Sequence, residues 1–213
     1  MSIEKIIYTG VLSYIIIATN RTLELAFKFN LYETQKLGVS LLYLLSSILT
    51  FVSFYALCSY TDRSSIAGKI NLIAVFSIIP MLAFDCVNIL SYFITEFESL
   101  YTRSILFAAA SAFSSTLFLI FIVGLYKYKV SPSISRSFKG LILISSILTI
   151  INIIDSSITI AIGNFEPSSI VLYILKLVLF IYMVVNYKYI VLELIKIAQN
   201  HSDKQDEDDY LIF

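Results

Sequence analysis

Apolar residues arrive in six long blocks, at about Ile6–Phe27, Leu37–Tyr60, Ile70–Ile94, Ser104–Tyr126, Gly140–Ile162 and Ser169–Ala198. Each is close to the roughly 20 residues that a helix needs to cross the hydrocarbon of a bilayer. Short polar stretches rich in Ser, Thr, Asp, Lys and Arg separate them. The pattern predicts an all-α fold, a polytopic transmembrane bundle of about six membrane-spanning helices occupying residues 1–199. Residues 200–213 form an acidic tail in which disorder is expected, because a dense run of like charge has no apolar surface to bury. Apolar residues start at Ile6 and no Ala-x-Ala cleavage pattern follows, so the first block reads as a retained helix.

Polar residues inside these blocks follow helical spacing. In the fifth block Ser145, Thr149, Asn152, Ser156 and Thr159 make one line, with Asp155 beside it. The third block carries Pro80, Asp85 and Asn88, the last two a turn apart on one face, and the sixth carries Lys176. A charge at membrane depth is costly and requires a partner or a water-filled cavity. Asp155 and Lys176 lie symmetrically about the break near Phe165 and Glu166, so a tight hairpin would set them at equal depth as a pair. Counting from the helix starts, Asp85 and Asp155 share one level, with Asn88, Asn152, Ser111, Ser114 and Lys176 near it. The fourth block opens with small residues, pairing Ala108 with Ala112, Ser111 with Ser115 and Ala110 with Ser114 at four-residue spacing. Such faces let helix backbones approach closely in lipid.

Composition strengthens the membrane reading. The 213 residues are 58% hydrophobic and 14% charged, against about 25% charge in soluble domains. Fifteen Lys and Arg balance fifteen Asp and Glu, so no basic field marks a nucleic-acid binder. There is no Trp, which leaves any interfacial aromatic belt to tyrosine. Cys58 and Cys86 fall in different apolar blocks, without CxxC spacing, and read as buried thiols. His201 is the single histidine and sits in the tail, which argues against a histidine-based metal or haem site.

Basic residues near the block ends indicate orientation. Lys5, Arg63, Lys69, Lys127, Lys129, Arg136, Lys139, Lys188, Lys196 and Lys204 share one side, leaving Arg21, Lys28, Lys36 and Arg103 on the other. Both termini are therefore expected in the cytoplasm. Arg21, Glu24 and Lys28 have neutralising helical spacing and read as a charged helix end at the outer headgroups. Ser46-Ser-Ile-Leu-Thr50 recurs as Ser145-Ser-Ile-Leu-Thr149, which maps the second helix onto the fifth, as an inverted 3+3 repeat would. Asn20-Arg-Thr22 matches a glycosylation acceptor too close to the membrane to serve well, and Glu207-Asp-Asp-Tyr-Leu-Ile212 matches an acidic dileucine-type sorting pattern.

No Ser/His pair, H-x-x-x-H, G-x-S-x-G or phosphate-binding loop is present, so no catalytic, cofactor or metal residues are assigned and no enzyme is expected. The residues point to a small membrane transport protein, a channel, permease or membrane subunit of a translocation complex. Its pathway residues are Asp85, Asn88, Asn152, Asp155 and Lys176. The competing reading is a non-catalytic scaffold or assembly factor whose basic loop, residues 127–139, and acidic tail recruit partners. Expected partners are the lipid bilayer and either a second copy or other membrane or cytoplasmic subunits.

Overall fold

Each apolar block satisfies its own backbone polar groups as an α-helix, the one open solution for a single segment in hydrocarbon. The computed structural model describes residues 1–27, 33–93, 100–162 and 170–210. Their side chains are described except at 24–27, 33–36, 100–104, 133, 159–160, 162, 170–173 and 201–210. The helices are α1 (Ile3–Phe27), α2 (Glu33–Leu57), α3 (Ile66–Leu90), α4 (Leu100–Lys127), α5 (Ser135–Ile162) and α6 (Ile170–Tyr210), with a short 3-10 turn at Pro132–Ile134 before α5. All six contain a stretch long and apolar enough to cross a membrane, and no strand occurs among the described residues. The protein is an integral, multi-pass membrane protein.

Local chemistry sets the helix ends. After Leu57 the N–H groups of Cys58, Ser59 and Tyr60 turn back to carbonyls three residues earlier, which stops α2 sooner than its apolar run does. Ser65 caps α3 by accepting the Gly68 N–H at 3.0 Å. Gly68 is needed there, since a Cβ would stand 1.8 Å from the Asp62 carbonyl oxygen. The α3 helix runs through Pro80 without ending. The α6 helix runs on to Tyr210. Adding residues to an existing helix avoids the cost of a new nucleus.

The helices form a closed ring in chain order, each packed on the next, with α6 returning to α1. The α3 and α6 helices also meet across the ring. Outward faces are apolar, with Tyr8, Leu12, Leu143, Ile150, Ile154 and Val185 exposed to the lipid side. Polar side chains turn inward: Ser13, Asn20, Ser46, Thr50, Ser53, Asn71, Ser145, Thr149 and Asn152 are all buried.

One half of the ring is solid. Ile6, Phe54, Leu57, Ile70, Phe121, Leu125, Leu141, Tyr187, Ile190 and Leu194 pack into a single core at the end where the chain begins. Phe54 meets the rings of Phe121 and Tyr187 edge-on, both at 5.5 Å, and Tyr14 lies 5.6 Å from Tyr187. The Tyr187 hydroxyl is 2.6 Å from Ser53 Oγ, which donates to the Ile6 carbonyl at 2.7 Å. Gly10 admits the Tyr187 ring, because a Cβ would lie 2.0 Å from it.

Candidate functional site

The other half of the ring is hollow. A cavity of about 520 Å³ runs from Tyr14 and Met183 toward Arg21 and Tyr92, walled by all six helices. Helical periodicity explains the polar residues set into its largely apolar wall. On α5, Ser145, Thr149 and Asn152 recur at four- and three-residue spacing and are each under 7% exposed. On α2, Ser40, Ser46, Ser47 and Thr50 line it from the opposite wall. Both copies of the Ser-Ser-Ile-Leu-Thr motif therefore contribute to one cavity, through Ser46, Ser47 and Thr50 and through Ser145 and Thr149.

Four of the five residues singled out from the sequence, Asp85, Asn88, Asn152 and Lys176, line this cavity. Asp85 is buried and accepts the Ser47 hydroxyl at 2.6 Å, tying α3 to α2. Asn88 donates to Ser40 Oγ at 3.0 Å, a second link between the same helices. The Lys176 ammonium lies over the Phe107 ring, 5.5 Å from its centroid, joining α6 to α4. Asp155 is half-buried, three residues beyond Asn152 toward the 163–169 end of α5, and is not among the lining residues. Thr159, the last member of the polar line, has a side chain outside those described, as do Glu24, Lys28, Lys36, Arg103 and Glu166.

Arg21 was read from the sequence as a headgroup charge, yet it lines the cavity. Its guanidinium stacks over Tyr43, 4.9 Å from the ring centroid, and its positive charge reaches Asp85. Its spacing from Glu24 and Lys28 drew attention to neighbours on its own helix, while α2 and α3 supply the environment that matters. Asn20, the glycosylation candidate, is fully buried and points its amide at the Val39 carbonyl, 3.4 Å away. It is closed to modification in the folded bundle.

The α4–α5 wall depends on the small residues of α4. Thr149 donates to the Ser115 carbonyl at 3.1 Å and Ser156 to the Ala108 carbonyl at 2.8 Å. Side-chain hydroxyls reach a neighbouring helix backbone only where no bulky side chain intervenes. Cys58 is half-buried and Cys86 exposed, and both are free thiols.

Glu193 is the buried group that sequence reading passed over. It lies wholly inside the solid half and accepts the backbone N–H groups of Val130 and Ser131, the latter at 2.8 Å. Lys196, one turn on, donates to Ser131 Oγ at 2.8 Å. The basic α4–α5 loop is thus clamped onto α6. The only sequence signal was a Glu and a Lys at three-residue spacing near the end of an apolar run.

No family model matches the chain, and comparison with curated proteins and with solved structures finds no match.

Proposed function

We propose that this protein is a small multi-pass membrane transporter whose solute site is the cavity of the hollow half. The observation that carries this reading is the cavity itself. It sets hydroxyl and amide side chains into a largely apolar wall, holds Arg21, Asp85 and Lys176 within membrane-spanning helices, and is backed by a solid aromatic floor. Intramembrane charges gathered around a space mark solute pathways, because a purely structural bundle avoids their desolvation cost. A volume near 520 Å³ falls within the range of small-molecule sites, roughly 300–1,000 Å³.

In this reading Asp85 and Arg21 act as a charged couple at the α1–α2–α3 wall. Asn88 and Asn152 offer amides from facing walls. Lys176 and Asp155 lie toward the 163–169 end and guard the approach. The termini, Glu193 and the clamped basic loop occupy the cytoplasmic face, so the cavity faces outward. Solute flux into proteoliposomes tests the proposal. Asp85→Asn lowers flux at least tenfold while the thermal midpoint and elution volume stay near those of the parent. Flux that equals that of protein-free vesicles for every solute class rules transport out and favours a scaffold.

A further inference from the structure

The hydroxyl groups around the cavity are not equivalent, and their hydrogen bonds define what they offer. Ser46 donates to the Tyr43 carbonyl at 2.7 Å, Thr50 to the Ser46 carbonyl at 2.9 Å, and Ser77 to the Ala74 carbonyl at 2.7 Å. Ser115 donates to the Ala112 carbonyl and Thr149 to the Ser115 carbonyl, both at 3.1 Å, while Ser47 donates to Asp85. A hydroxyl has one proton and two lone pairs. With the protons committed to the protein, Ser47 and Ser115, the half-buried members, present oxygen acceptors to the space, while Ser46 is fully buried and presents none. The walls on α2 and α4 therefore offer acceptors, which suit a solute that carries donors.

A second observation points to an occupant. Ser145 Oγ on α5 and Ser114 Oγ on α4 are buried, have no hydrogen-bond partner among the described residues, and belong to side chains that line the cavity. Ser145 is 2% exposed. A buried hydroxyl left unsatisfied is destabilising, so these two oxygens fit a cavity whose contents complete their bonding. Charge narrows the choice. Arg21 and Lys176 stand in the same space as Asp85, so a simple ion of either sign meets a like charge somewhere on its path. Ring faces from Phe84, Phe107, Phe118 and Phe180 interrupt the polar wall and suit a molecule with an apolar face as well as a hydroxylated edge.

We infer that the cavity takes a small neutral polyhydroxylated solute, of the size and chemistry of a polyol or monosaccharide. This rests on the reading of the cavity as a solute site. Ser114 and Ser145 bind the hydroxyl edge as both donor and acceptor, and the acceptors of α2 receive the remaining protons. The full-length protein in proteoliposomes, given glycerol, sorbitol and glucose beside choline chloride and sodium acetate, tests it by stopped-flow light scattering. Binding of radiolabelled sorbitol and glucose to the detergent-purified protein is measured in parallel. The expected result is entry or binding of at least one neutral probe above protein-free controls, reduced about tenfold or more by Ser145→Val. Ser114→Ala, the milder change, reduces it severalfold with an unaltered thermal midpoint. Entry of choline or acetate with no neutral probe entering or binding overturns the solute class and leaves transport standing. Raised water permeability alone, without polyol entry or binding, also overturns it. Binding without entry of any probe sustains the solute class and removes the transport reading. If no probe enters and none binds, both fall.

Discussion

At the scale of single residues, the tightest constraints are where one atom more has no room. Gly10 faces the ring of Tyr187, which is fully buried and held by Ser53, so the ring has no cheap retreat. Gly10→Ala is expected to destabilise the protein by about 1–3 kcal/mol, the usual cost of overpacking. Its unfolding midpoint in detergent checks this, and Tyr187→Leu in the same chain should recover part of the loss. Asp62 makes a different prediction. The Ser64 hydroxyl and backbone N–H both donate to its carboxylate and hold its pKa below the usual carboxylate value. A depressed folded pKa contributes stability that is present above the unfolded value, near 3.9, and is lost as pH falls through the folded one. The α2–α3 turn is thus expected to stay ordered through neutral and mildly acid pH and to loosen only in strong acid. Hydrogen exchange at residues 62–66 reads this, and Asp62→Asn should remove the pH step.

At the scale of elements, long helices were legible because an apolar block in lipid has few alternatives, while their neighbours were not. The clamp from α6 onto the α4–α5 loop shows why. Glu193 lies more than sixty residues from Val130 and Ser131, a separation that no local pattern encodes. Glu193→Ala leaves two part-buried backbone N–H groups without their charged acceptor, and a hydrogen bond to a charged group contributes about 1.5–3 kcal/mol. Tryptic cleavage at Lys127, Lys129 and Arg136 in nanodiscs is expected to rise about tenfold or more, the factor that 1.4 kcal/mol represents, with the rest of the digest unchanged. The α4–α5 seam is more forgiving. Thr149→Val removes one bond to Ser115, and polar contacts between membrane helices average about 0.6 kcal/mol, so its unfolding midpoint should move only slightly.

At the scale of the whole molecule, the ring is half solid and half hollow, and accessibility should divide along that line. In a chain carrying Cys58→Ala and Cys86→Ser, Asn152→Cys is expected to react with a membrane-impermeant thiol reagent added on one side of the bilayer. That side is the one opposite the termini. Leu125→Cys, in the solid half, should resist the reagent from both sides. Equal labelling of Asn152→Cys from both faces would describe an open pore in place of a one-sided cavity.

Six helices, an inward polar line on α5 and four residues that line one cavity, Asp85, Asn88, Asn152 and Lys176, could be read from the chain alone. The reason is that bilayer thickness and helical pitch convert position along the sequence directly into depth and face. Rotation about each helix axis and the order of helices around the ring are not set that way. They depend on which side chains interlock, Gly10 with Tyr187 or Ser156 with the Ala108 carbonyl. Only that packing brought Arg21 into the cavity, left Asp155 outside its lining, and set the two Ser-Ser-Ile-Leu-Thr segments on facing walls of one space.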